Sequence, residues 1–124
     1  ELPCYKIYED KRSLAFLDIN PVNKGHLLVI PKDHYLNMFD APADILKDLI
    51  ALSQRLARAA TEALGVNGFN FMVNNGPVAG QVINHLHYHI IPRYENDNLH
   101  LWPGKALTDE EMQRTAQTLR TLII

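Results

Sequence analysis

One cysteine, one tryptophan and no apolar run of membrane length set the first limits on this chain of 124 residues. Cys4 can close no internal disulfide, so the fold must rest on its apolar core, and a reducing, cytoplasmic setting is expected. A bilayer crossing needs roughly 20 consecutive apolar residues, and no stretch comes near that. No signal peptide is legible; the chain begins at Glu1 rather than Met, which leaves any upstream segment open. Charge of one sign is also lacking: 12 Lys and Arg against 14 Asp and Glu leave a formal charge of -2. A dedicated nucleic-acid surface would be strongly basic, so that class is set aside, whereas a small phosphorylated ligand needs only a local site.

What is present is ordinary in amount, 47% hydrophobic and 21% charged, and informative in order. The length fits one domain, 1–124, able to bury on the order of two thirds of its unfolded surface without staples. Residues 5–9 and 14–17 read as short strands around the polar turn Asp10-Lys11-Arg12-Ser13. Asn20-Pro21-Val22-Asn23-Lys24-Gly25 is a turn-rich loop, and 26–30 is an apolar strand ended by Pro31. Asp40 is the expected cap of a long helix, with Pro42 in its first turn. Ile45, Leu49, Leu52, Leu56, Ala59 and Ala63 then recur at helical spacing until Gly65. A second line, Leu46, Ile50, Ala57 and Leu64, widens the apolar stripe to about half the circumference. Either the helix is sunk in its own core or this flank packs on a second subunit. Residues 69–73 form a further strand, followed by a loop with Gly76 and Gly80. Residues 94–107 show no period and are long for a connection. Thr108 with Glu111 is a capping box opening a final helix with Met112, Ala116, Leu119 and Ile123. Strands and helices mix without strict βαβ alternation, which predicts an α+β fold with an antiparallel sheet of five strands.

The most informative run is His85-Leu86-His87-Tyr88-His89-Ile90-Ile91. Strict alternation predicts a strand with all three imidazoles on one face and an apolar face behind them. Three accounts of the row stand. As core residues, each imidazole would bring nitrogens that need partners. As metal ligands, two histidines two apart can share an ion with His26, His34 or Asp18, though no acidic residue lies within the row. As catalysts on a phosphate ester or anhydride, a neutral ring can attack phosphorus and split one displacement into two. At the ordinary histidine pKa roughly three quarters of such rings are neutral at pH 7. His87 is the best protected, and its neighbours can fix its tautomer and supply N–H donors to the developing charge. The adjoining loop favours this last account. Gly76 and Gly80 let backbone N–H groups approach an anion, and Asn74 and Gln81 are neutral amides suited to a phosphate or leaving group.

These residues resemble the histidine triad superfamily, whose pattern is His-φ-His-φ-His-φ-φ with φ apolar. Phe16-Leu17-Asp18-Ile19, Gly25-His26-Leu27-Leu28-Val29-Ile30-Pro31-Lys32 and Ala79-Gly80-Gln81 are similar to family segments in the expected order, so the likeness runs from Leu2 to about Trp102. The resemblance implies a nucleotide-binding α+β fold and a homodimer whose sheets join into one. It implies hydrolysis at the α-phosphate of a purine nucleoside phosphoramidate or related conjugate through a nucleotidyl-histidine intermediate, without a cofactor. Dinucleoside polyphosphate hydrolysis, or a nucleotide-binding regulator with little turnover, are the alternatives. By position His87 is the nucleophile, His85 and His89 orient it and bind phosphate oxygens, and His26 is the fourth histidine. Asp18 holds the ribose, Phe16 and Ile19 line the base pocket, and Asn74, Gly80 and Gln81 line the phosphate side. Trp102 is placed to reach a partner's site.

Two departures from the pattern matter. Val82 stands where many members carry Ser or Thr, so a hydroxyl there is not expected to protonate the leaving group. Many bacterial members bind zinc through an N-terminal Cys-x-x-Cys together with two histidines, which here would be His34 and His85. This sequence has no such pair, and no metal is expected.

Overall fold

The computed structural model describes residues 5–123; Cys4 lies outside them. Five strands form one antiparallel sheet in the order β1-β2-β3-β5-β4. They are β1 (Lys6–Glu9), β2 (Ser13–Leu17), β3 (Leu27–Pro31), β4 (Gly68–Val73) and β5 (Tyr88–Arg93). Between β3 and β4 runs α1 (Ala43–Leu64), and α2 (Asp109–Leu122) follows β5. The expected α+β class and its five strands are what the chain adopts. Among the described residues no helix is long and apolar enough to cross a membrane.

The hairpin of β1 and β2 is closed by Asp10, whose carboxylate accepts from the N–H groups of Arg12 (2.9 Å) and Ser13 (2.7 Å). A short side chain bonding its own backbone two and three residues on makes a tight turn without glycine. α1 presents Ile45, Leu49, Leu52 and Ala57 to the sheet, where they meet Ala15, Leu27, Val29, Tyr88 and Ile90. Strand alternation therefore places Leu27 and Val29 of β3, and Tyr88 and Ile90 of β5, on the covered face. The residues between them point the other way. Directly opposed residues share a face, so Phe16, Leu28, His89 and Met72 form one cross-strand row on the open side of the sheet.

Two element boundaries differ from the sequence reading. Asp40 does not cap α1: its carboxylate accepts from Leu36 N and Asn37 N at 3.1 Å each, closing the loop before the helix. Pro42 occupies the N-cap position instead, with no side-chain bond. The histidine run is a strand only from Tyr88 onward. His85 lies in a bend, because Leu86 N donates to Tyr35 O at 2.7 Å rather than to a neighbouring strand. Gly65 ends α1 in the left-handed conformation, and the Thr108–Glu111 capping box opens α2, both as expected.

Candidate active site

The site is assembled on the open face where β2, β3 and β5 run side by side. Phe16 and Asp18 lie on one face of β2 and its extension, two residues apart. Asp18 N donates to His26 O at 2.9 Å, continuing the β2–β3 ladder by one pair. This brings the Asp18 carboxylate to 3.6 Å from His26 Nε2. His26 is buried, and its Nε2 lies 2.9 Å from His89 Nδ1. His89 in turn meets His87 edge to face, ring centroids 4.9 Å apart. Asp18, His26, His89 and His87 thus form a contiguous chain of polar groups on a face otherwise made of Leu28, Met72 and Ile91.

The partners of the rings fix where the protons sit. A backbone carbonyl only accepts, so the 2.7 Å contact between His87 Nδ1 and His85 O requires the proton on Nδ1. His87 Nε2 then carries a lone pair. Val22 N, which only donates, lies 3.0 Å from His26 Nδ1, so His26 carries its proton on Nε2 and gives it to His89 Nδ1. His89 keeps an N–H on Nε2, a buried atom with no partner among the described residues. An orphaned buried donor is costly unless a ligand satisfies it. The row therefore offers a bare nitrogen on one ring and a free N–H on the next.

Electrostatics keep this arrangement neutral. Burial lowers His26 below the ordinary histidine value, opposed by the Asp18 charge. Burial, and then the neighbouring His87 and His26, push His89 down to about 4, again against Asp18. Both rings are neutral at physiological pH, as the single-proton hydrogen bonds require.

Asp18, His26 and His89 each present one possible metal-ligating atom, all within 4.8 Å of one another. Yet the His26–His89 nitrogens already share a proton, and a cation would have to displace it. The arrangement is that of a hydrogen-bond relay. The other histidine pair is His34 and His85, whose Nδ1 atoms lie 3.1 Å apart while His85 Nε2 lies 2.9 Å from Pro31 O. That spacing fits two corners of a tetrahedral zinc site, where bonds of about 2 Å place nitrogens roughly 3.3 Å apart. Among the described residues no third ligating atom joins this pair.

His85 is the main correction to the sequence reading. Alternation placed its ring beside those of His87 and His89. The bend turns it instead toward His34, with ring centroids 5.1 Å apart, and its contribution to the row is its backbone carbonyl. Gln81 is also differently employed. Its Oε1 accepts from Gly76 N (2.8 Å), and its Nε2 donates to Leu36 O (2.6 Å) and Ile83 O (3.0 Å). The buried side chain braces the loop from inside. Gly80 takes a positive φ of 95°, and a β-carbon there would stand 3.7 Å from the Asn74 amide nitrogen, an ordinary contact, so it is the backbone conformation that asks for glycine. Ile19, Val82 and Trp102 are exposed, Val82 and Trp102 at 87% each. Trp102 lines a groove of about 440 Å³ with Phe71, Met72, Ile91 and Leu101.

The sequence reading missed the groups that hold these pieces. Val22 N is a backbone donor that no motif marks. Asn23 and Asp97 lie in a turn and in the irregular stretch after β5, where polarity alone reads as solvation. Asn75 Oδ1 accepts from Met38 N at 2.8 Å, tying the two loops beside Gln81 together.

Comparison with known proteins identifies the family. The HIT domain family model matches residues 1–96. An adenylylsulfatase of Arabidopsis thaliana is 44% identical over 107 residues, covering 86% of this chain and 53% of that protein. An adenosine 5'-monophosphoramidase of Schizosaccharomyces pombe is 36% identical over 126 residues, covering 99% of this chain and 91% of that one. A crystal structure of a HIT family member from Bacillus subtilis superposes with a TM-score of 0.88 at 36% identity, covering 99% of this chain and 90% of that one. With a matching domain over most of its length and relatives that span nearly all of it, the chain belongs to the HIT family.

Proposed function

We propose that the protein hydrolyses purine nucleoside phosphoramidates, or closely related nucleotide conjugates, at the α-phosphate through a nucleotidyl-His87 intermediate. The observation that carries this reading is the proton arrangement of the row. His87 Nδ1–H is held by His85 O, so Nε2 presents its lone pair without waiting for a base. Beside it, the free Nε2–H of His89 can donate to a non-bridging phosphoryl oxygen as charge builds there.

In the first step His87 Nε2 bonds to phosphorus, and the phosphorus–nitrogen bond to the amine breaks with its electron pair leaving on nitrogen. The departing amine takes a proton from solvent, since Val82 at that side offers no donor. Water then attacks the phosphorus and gives up a proton to solvent as the phosphorus–Nε2 bond breaks and its electron pair returns to His87. Asp18 accepts the ribose hydroxyls, Phe16 and Ile19 bound the base, and the Asn74 side chain faces the phosphate. Contrary to the sequence expectation, the N–H groups of Gly76, Ala79, Gly80 and Gln81 are taken up within the loop itself, by Gln81 Oε1, Gly76 O, Pro77 O and Gly76 O respectively. Gln81 acts by bracing that loop, and His85 by its carbonyl. The relatives named for monophosphoramidase and adenylylsulfatase activity support an adenylyl group as the shared part of the substrate.

Homodimerisation belongs to the same reading. β4 ends the sheet with an open edge, and Phe69 and Phe71 lie partly exposed beside Ile50 of α1. An uncovered apolar strip along a sheet edge is suited to a second copy. The single cysteine accords with a cytoplasmic setting.

Incubating the protein with adenosine 5'-phosphoramidate labelled at phosphorus is expected to trap an adenylyl-protein on acid quench. His87→Ala should abolish both the adduct and turnover. Normal turnover by that variant would overturn the mechanism. Binding of nucleotide by the wild type without product release would favour the regulator, a reading kept in view by Val82. A panel adding dinucleoside polyphosphates separates the substrate classes.

A further inference from the structure

The protons of the histidine row are placed by a group outside it. Because Val22 N–H occupies His26 Nδ1, His26 must donate from Nε2, and His89 must keep its own proton on Nε2. Without that amide, His26 could carry its proton on Nδ1. His26 Nε2 would then be an acceptor, His89 would turn its N–H inward to meet it, and His89 Nε2 would be a bare lone pair. A lone pair facing phosphoryl oxygens repels where an N–H attracts. One backbone amide thus decides whether His89 meets an anion as donor or as acceptor.

That amide is held by an unusually dense knot. Asn23 accepts from His26 N through its carbonyl at 3.1 Å, and its side-chain Nδ2 donates to Pro92 O and Asp97 Oδ2 at 3.0 Å each. The Asp97 side chain is 7% exposed and takes a forked pair from Arg93, Nε to Oδ2 at 2.8 Å and Nη2 to Oδ1 at 3.0 Å. It also accepts from the N–H groups of Tyr94 (3.0 Å) and Leu99 (3.1 Å). Arg93 is anchored further by Asn70 Oδ1 at 2.8 Å and Leu99 O at 2.9 Å. A bidentate guanidinium–carboxylate pair with every oxygen multiply bonded is a rigid post. The knot supplies no group to the row itself, yet it pins the one residue that closes the turn carrying Val22.

We propose that Asn23, pinned by Asp97, is a positioning residue for the histidine row, fixing the Val22 amide on His26 and through it the donor tautomer of His89. The effect on rate rests on the hydrolase reading above; the tautomers are properties of the resting protein and can be read without any substrate.

The test is a two-bond proton–nitrogen correlation spectrum of protein labelled in its imidazoles, at neutral pH, beside steady-state kinetics with adenosine 5'-phosphoramidate. The wild type should show His26 and His89 each as a single Nε2–H tautomer. Asn23→Ala should introduce Nδ1–H character at one or both rings and lower kcat roughly tenfold or more, with KM within about twofold. A second variant replaces Val22 by its α-hydroxy acid, which deletes only the N–H, and should reproduce both changes. It decides the question if Asn23→Ala does not fold. The proposal is overturned if His26 in the wild type carries its proton on Nδ1, or if a folded variant keeps both rings wholly in the Nε2–H form. Loss of the hydrolase reading has a different signature, equal turnover by wild type and His87→Ala, and leaves the spectra to decide this point.

Discussion

His89 is where burial has its largest chemical effect. Its folded value of about 4 lies below the ordinary 6.5, so between these limits the unfolded chain binds a proton that the folded one refuses. Stability from this source is constant above pH 6.5 and declines as pH falls toward 4. Lowered His26 acts in the same direction. The strongly shifted carboxylates are also held down, Glu9 to about 2 by Lys32 and Lys6 and Asp97 by Arg93, so their contributions are lost only below their ordinary values of 4.5 and 3.8. The window from pH 6.5 to 4.5 therefore belongs to the histidines. Chemical denaturation should show unfolding free energy falling by on the order of 2 kcal/mol across it. His89→Gln should flatten that slope. An unchanged slope in the variant would mean that His89 is not the buried group responsible.

At this scale much of the site was legible. Phe16, Asp18, His26 and His89 were named from the sequence, and the sheet brings them onto one face. What escaped was direction. Alternation says that His85 and His87 leave the chain on the same side only if the chain is a strand there. Which backbone group takes the Leu86 N–H is decided by Tyr35, far away in sequence. Gln81 was legible as a polar residue next to glycines, but its carboxamide faces inward because Gly76, Leu36 and Ile83 leave a donor and two acceptors needing it.

The turn from β2 to β3 is the element on which the site depends most. Gly25 there has a φ of 89°, and a β-carbon at that position would stand 2.5 Å from Leu64 Cδ1 and 3.2 Å from Pro92 Cγ. Leucine can swing its end aside, but the backbone conformation remains strained for any L side chain. Gly25→Ala should lower stability by about 1–3 kcal/mol in denaturant melts. Because residue 25 adjoins His26, activity per folded molecule should fall as well. A variant as stable as the wild type would show that the turn relaxes freely. Glycine in this turn was visible from the sequence. That α1 packs its last leucine against it was not, because periodicity gives a face and no partner.

At the scale of the whole molecule, an uncovered apolar strip is where a second copy would meet this one. α1 and β4 leave Ile50, Phe69 and Phe71 partly uncovered, with the buried Ser53 hydroxyl behind them lacking a partner among the described residues. Of the second apolar line of the helix, Ala57 joins the subunit's own core and Leu46 packs against it, so only Ile50 belongs to this strip; periodicity gave the breadth of the apolar face and not which sheet covers each part. Ile50 is 51% exposed, so Ile50→Glu should leave the folded subunit intact while shifting sedimentation from twice the subunit mass to the subunit mass. A variant that still sediments as a dimer would place the contact elsewhere.

His87 immediately precedes the first ladder residue of β5, on the segment that links the glycine loop to the sheet. A nitrogen that bonds to phosphorus must advance by more than an ångström and later retreat. Mounted within the ladder, such a ring would pull on two neighbouring strands at every turnover. Mounted one step before it, the ring is held by single bonds, Leu86 N to Tyr35 O and His87 Nδ1 to His85 O, rather than by a ladder, so the give that covalent chemistry at His87 would need lies outside the five strands.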